Sequence, residues 1–192
     1  VLLDDDTTQT TQVPGYAPDS FYAKFVEQEV TINYRIIDPD GNVYDVDQPC
    51  GHLDSYSENL LAVSGAASGS TATVSSNVYK FVGWYIKDAE ENYVPVQTTD
   101  GTVDGNKFTP IKEENSLWID GTTYYALFEY NLTSMTIWKA AAEGTTISSD
   151  ETFIFTVTGP GLENGLKVIV QGTGSVVIGG LTVGQEYTVT ED

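Results

Sequence analysis

Residues 30–37 read Val30-Thr31-Ile32-Asn33-Tyr34-Arg35-Ile36-Ile37. Val30, Ile32, Tyr34 and Ile36 recur at every second position, with polar side chains between them. Successive side chains of a strand point to opposite faces, so this period gathers the four on one buried face. The same period returns in Phe153, Phe155 and Val157, in Leu166, Val168 and Val170, and in Tyr187 and Val189. Turn-forming residues separate the runs: Asp40-Gly41, Asp100-Gly101, Asp104-Gly105, Asp120-Gly121, Gly159-Pro160-Gly161, Asn164-Gly165 and Gly179-Gly180. No long stretch repeats apolar residues at the helical spacing. The expectation is a mainly all-β chain, built as sandwiches or small barrels. One short helix is expected near 57–66, and a loop over the Ser-, Gly-, Ala- and Thr-rich residues 64–77.

Charge and composition narrow the function. The 192 residues include 28 acidic and 8 basic side chains, a formal net charge of −20. Nucleic-acid recognition needs a basic face, so that class is excluded as a default, and docking on anionic lipid is disfavoured. At 40% hydrophobic and 11% aromatic the chain can bury real cores. No apolar run approaches the roughly 20 residues of a membrane-spanning helix. A single Cys excludes an intramolecular disulfide framework and Cys-rich zinc motifs. The first residue is Val1 rather than a start methionine, which points to a processed or excised piece.

An internal echo sets the expected organisation. Ser20-Phe21-Tyr22-Ala23-Lys24-Phe25 is followed by Val30-Thr31-Ile32, and Thr123-Tyr124-Tyr125-Ala126-Leu127-Phe128 by Met135-Thr136-Ile137. Each reads as the last strand of one module running into the first strand of the next. Residues 1–26 are then the remnant of a preceding repeat, 28–131 a complete module, and 133–192 a module of another type. The polar run 4–12 reads as a loop.

Phe81-Val82-Gly83-Trp84-Tyr85, followed some forty positions later by Tyr124-Tyr125-Ala126-Leu127-Phe128, resembles the β-grasp-like repeats of Gram-positive surface proteins, the internalin B-repeat and mucin-binding-protein-like families. The resemblance spans roughly 28–131 and implies a stalk or adhesin module without catalytic residues. Met135-Thr136-Ile137-Trp138-Lys139, Phe153-Ile154-Phe155-Thr156-Val157 and Leu181-Thr182-Val183-Gly184-Gln185-Glu186-Tyr187-Thr188-Val189-Thr190-Glu191 resemble a Cna-B or pilin-type immunoglobulin-like domain. Many members of that family join a first-strand Lys to a last-strand Asn by a self-formed amide bond, assisted by a buried acid. By motif the Lys is Lys139 and the acid Glu191. The strand that would carry the Asn has no counterpart before Asp192, so the resemblance implies a domain lacking its last strand.

The residues support that assignment on their own terms. In a strand, Met135, Ile137 and Lys139 share a face, and so do Tyr187, Val189 and Glu191. Two ionisable groups therefore continue two inward apolar stripes. Burial disfavours the charged form of each. A neutral amine can attack a carboxamide while a protonated carboxyl moves the protons. The plainer alternative has Lys139 snorkelling at a strand end.

Other residues are weaker candidates. Asp38, Asp40 and Asn42, with Asp45 and Asp47 beyond, form an oxygen-rich run that could hold calcium. An Asp-Gly hairpin turn accounts for the same residues. Asp4–Asp6 and Asp100, Asp104 and Asn106 are similar. Cys50-Gly51-His52 places the only Cys beside the only His, with Gln48 near, as a thiolate or thioester would need; packing explains Cys50 as well. Trp84, Trp118 and Trp138 could stack on sugar, but aromatics also fill thin β cores, and Trp84 and Tyr125 read as core. No phosphate-binding Gly loop, nucleophile elbow or His-Glu-x-x-His is present.

These readings converge on a non-enzymatic stalk or adhesion segment of an extracellular, cell-wall-attached or secreted Gram-positive surface protein. Its partners are neighbouring modules of the same protein, with no membrane insertion in this chain. A rival reading is an adhesin that binds a glycan or host protein through the stretch 51–80, with Trp118 as its aromatic contact. A third is an accessory domain of an extracellular hydrolase.

Overall fold

A computed structural model describes residues 24–192. The expected remnant of a preceding repeat and the acidic run Asp4–Asp6 lie, apart from residues 24–26, outside the described residues. Ten strands come first: β1 (Glu29–Ile37), β2 (Val43–Tyr44), β3 (Gly51–Leu53), β4 (Ser57–Leu61), β5 (Ser70–Val74), β6 (Tyr79–Lys87), β7 (Tyr93–Pro95), β8 (Gly101–Asp104), β9 (Lys107–Pro110) and β10 (Thr123–Tyr130). Five follow: β11 (Leu132–Trp138), β12 (Thr152–Thr158), β13 (Leu166–Gln171), β14 (Ser175–Thr182) and β15 (Thr188–Glu191). The chain is all-β, and no helix is found among the described residues.

The helix expected near 57–66 is instead β4, and the loop expected at 64–77 contains β5. Leu60 and Ala62 are buried while Leu61 and Val63 are exposed, a period of two that a helix cannot satisfy. β4 pairs antiparallel with β1, Leu60 opposite Val30. The bare edge of β1 gives this short segment the partner that decides its conformation.

β1 and β10 lie side by side and parallel, Tyr34 opposite Tyr124. β6 then β7 continue beyond β10, and β2 and β4 pair with the other edge of β1. A second sheet, ordered β3-β5-β9-β8, contributes Leu53, Ala72 and Phe108 to the core beneath this mixed sheet. β1–β2 and β6–β7 are the same device used twice. Asp38 and Asp88 each accept the backbone N–H two and four residues on, and each donates its own N–H to the carbonyl of Asn42 or Asn92. Tyr34 and Trp84 occupy equivalent inward positions, and their rings meet edge-on at 5.9 Å.

The first core is aromatic. Tyr34, Phe108 and Phe128 are fully buried, and Trp84 lies within 6.1 Å of Phe81 and 5.9 Å of Phe108. Gly51 lies directly under the Phe128 ring. A Cβ there would stand 2.4 Å from a ring carbon and 2.5 Å from the Thr73 carbonyl oxygen. Gly51→Ala is therefore expected to destabilise the protein by about 1–3 kcal/mol through overpacking, read from the urea midpoint.

Residues 132–192 form a small immunoglobulin-like sandwich with its own core. β11 pairs with β14, while β13-β12-β15 make the facing sheet. Ile137, Ile178 and Leu181 from the first pack with Phe155, Val157 and Val170 from the second. Gly179-Gly180, expected as a turn, lies inside β14. The register slips there, Thr133 opposite Leu181 but Ser134 opposite Gly179, so Gly180 is bulged at φ +77°. That extra residue lets Ile178 and Leu181, three apart, both point inward.

A carboxylate ties β3 to β5. The Asp54 oxygen accepts from the Ser70 hydroxyl at 3.0 Å and the Thr71 N–H at 2.6 Å. Burial alone would raise its pKa, but the bonds from Thr71 and Ser70 prevail and hold it below the ordinary carboxylate value. A depressed folded pKa contributes stability above the unfolded value of about 3.9, which is lost as the pH falls through the folded value. Asp54→Asn should therefore cost stability at pH 7, and the gap to wild type should narrow in urea titrations run towards pH 2.

Candidate functional site

β11 ends at Trp138, and the next residue keeps the ladder going, the Lys139 N–H donating to the Gly174 carbonyl at 3.1 Å. Alternation along β11 turns Lys139 to the side of buried Ile137 and sends Trp138 outward, 72% exposed. On the facing sheet, β15 pairs with β12, Val189 opposite Val157 and Glu191 opposite Phe155. Val157 and Phe155 are both core residues, so Glu191 also lies on the core side.

The two stripes converge. Lys139 Nζ donates to both Glu191 oxygens, at 2.7 and 2.8 Å. The ammonium also sits 4.2 Å from the centroid of the Phe153 ring. A strand of one sheet is thus tied to a strand of the other at the end of the core. The pair is less buried than the stripes imply: the side chains are 20% and 44% exposed. Its position at the mouth of the sandwich, rather than between Ile137 and Phe155, is the reason. Lys139→Met should accordingly cost at most about 1 kcal/mol in chemical denaturation, since partly exposed pairs are screened by water.

Phe153 was legible only as an inward strand residue; its seat under the ammonium depends on how the two sheets face each other. A second pair also escapes sequence reading. Asp192, on the opposite face from Glu191, accepts from Lys167 Nζ at 2.7 Å and from the Thr156 hydroxyl at 2.9 Å. Those two contacts hold its pKa below the ordinary value. Adjacent acids at a strand end serve two faces because side chains alternate.

The remaining candidates fall apart geometrically. The Asp38 carboxylate is taken up by the N–H groups of Asp40 and Asn42 and the Asn42 amide, and these bonds, against the effect of burial, lower its pKa. Asp38, Asp40 and Asn42 build a turn, and among the described residues no group of three or more His, Cys, Asp or Glu is placed to hold a metal ion. Cys50 is buried and His52 exposed. Burial pushes the Cys50 thiol up, away from a reactive thiolate. Gln48 exchanges backbone bonds with Gly51 in a tight turn, and its side-chain amide donates to the Val46 carbonyl at 3.3 Å.

Trp84 is core, whereas Tyr125 points to the outer face of the mixed sheet; its neighbour Tyr124 is the buried one. Trp118 is buried and its indole N–H donates to the Gly65 carbonyl at 2.8 Å, so it is no open platform. The stretch 51–80 is woven into both sheets as β3, β4, β5 and the start of β6. Comparison of the chain with family models, curated proteins and solved structures returns no match.

Proposed function

We propose that this chain is a non-enzymatic structural segment of an extracellular Gram-positive surface protein, a stalk that holds adhesive parts away from the cell wall. The observation that carries the reading is the contact between Lys139 and Glu191 across the two sheets of the second unit. An amine held by a carboxylate is poised for one reaction if a carboxamide is brought beside it. Glu191 takes a proton from Lys139, and the freed amine attacks the carboxamide carbon. The carboxyl passes that proton to the departing nitrogen, and the regenerated carboxylate takes up the second proton that the attacking nitrogen sheds. One C–N bond forms, one breaks, and ammonia leaves. The product is an amide that ties the first strand to an incoming strand, which suits a module under load.

The junction between the units supports a semi-rigid arrangement. The Asn131 N–H donates to the Val78 carbonyl, its side-chain amide to the Asn77 carbonyl, and its own carbonyl accepts from Val183. A linker bonded on both sides has little slack.

Denatured intact mass tests the reading. In a longer form of the protein that supplies an Asn-bearing strand, a deficit of one ammonia is expected. The deficit should vanish in Lys139→Ala and Glu191→Gln. Full mass in every longer form removes the cross-link from the proposal.

A further inference from the structure

The chain enters the first unit on β1 and leaves it on β10, and these two strands are neighbours. They run parallel, from Asn33 opposite Thr123 to Ile37 opposite Leu127. A pull on the N-terminal end of β1 and the C-terminal end of β10 therefore acts on the pair from opposite ends. Such a load runs across the ladder and falls on all its hydrogen bonds together, whereas a pull from one end opens them one at a time. Neither strand is an edge: β2 and β4 flank β1 on its other side, and β6 flanks β10.

The side chains oppose sliding as well. Val30, Ile32, Tyr34 and Ile36 of β1 and Tyr124, Ala126 and Phe128 of β10 are buried in one core. A slip of one residue would turn a whole stripe outward, so the strands can move only in steps of two residues, about 7 Å. Such a step drags the Tyr34 ring past the Tyr124 ring, on which it stacks at 6.2 Å. The load also arrives end-on. The Gln28 carbonyl, just before β1, is held by the Ala62 N–H, and Asn131 alone separates β10 from β11.

The second unit is built differently. β11 and β15 lie in different sheets, and among the described residues no ladder joins them. Their C-terminal ends meet at Lys139 and Glu191, so an end-to-end pull slides one sheet over the other. Packed side chains and one partly exposed ion pair carry that load.

We propose that the first unit is a mechanical clamp, loaded in shear through β1 and β10, and that it outlasts the second unit under tension. The proposal rests on the stalk reading for one point, that load enters at the two ends of the chain. Intact mass tests that reading, and rupture force tests this one.

Single-molecule force spectroscopy of the full chain, held at its two ends, is the experiment. Two ruptures are expected: an extension of about 20 nm from the second unit, then, at higher force, one of about 30 nm from the first. Ile119→Cys then places a thiol at an exposed position just ahead of β10, while the native Cys50 is buried. Pulling between the N-terminus and that thiol loads β1 and β10 from the same end. The rupture force of the first unit should fall about twofold or more, with an unchanged urea midpoint. A long rupture at or below the force of the short one overturns the proposal. So does a rupture force that is the same in both pulling directions.

Discussion

Phe128→Ala is expected to destabilise the first core by about 3–5 kcal/mol while the second core keeps its own transition. The Phe128 ring is fully buried, packs 5.6 Å from Phe81 and lies against the backbone of Gly51. Its removal leaves a cavity between two sheets whose strands cannot close it: β10 is hydrogen-bonded to β1 and β6, and β3 to β5. The two buried clusters share no residue, one running from Val30 to Phe128 and the other from Ile137 to Leu181. Calorimetry should show one transition lowered and one almost unmoved. Phe155→Ala should produce the converse pattern. A single transition that shifts as a whole in both variants would show that the units unfold together.

Glu58→Ala should cost about 3 kcal/mol or more, well beyond what an ordinary strand glutamate contributes. The Glu58 carboxylate accepts from the Tyr34 hydroxyl, from the Ser68 N–H at 2.7 Å and from the Gly69 N–H at 3.2 Å. Tyr34 is wholly buried, and burial, followed by the bond to Glu58, pushes its hydroxyl far above the ordinary tyrosine value. It remains a donor at any working pH. Removing the acceptor strands the buried Tyr34 hydroxyl and the Gly69 N–H, while the exposed Ser68 N–H turns to water; Tyr34→Phe removes one donor and leaves the carboxylate its two N–H partners. The second change should cost only about 1 kcal/mol. Equal losses for the two variants in urea titrations would mean that the network does not act as described.

The period-two stripes made the all-β class legible, and they carried further than the class. Lys139 and Glu191 were placed on inward faces by alternation alone, and the two side chains meet. Alternation works because it is a local property of the backbone, set residue by residue without knowledge of the partner strand. The hairpins at Asp38 and Asp88 were half-legible: the Asp-Gly pair flagged the first, but Glu91, with φ +65°, takes the place of Gly41 in the second. An aspartate that accepts the loop's own N–H groups stabilises that turn without the glycine.

Short segments with weak signals went the other way. Residues 57–61 became a strand because the free edge of β1 offered them a ladder, and Gly179-Gly180 became a bulge because Leu181 had to reach the core. Neither reason is present in the segment itself. From its sequence alone the chain was bound to be an acidic, β-stranded protein with inward Lys139 and Glu191. Only the tertiary structure decided that β1 and β10 run parallel, that Phe153 underlies Lys139, and that Tyr125 looks outward beside Arg35. Those facts depend on registers between strands far apart in the chain, which the packing of two cores selects and no local pattern encodes.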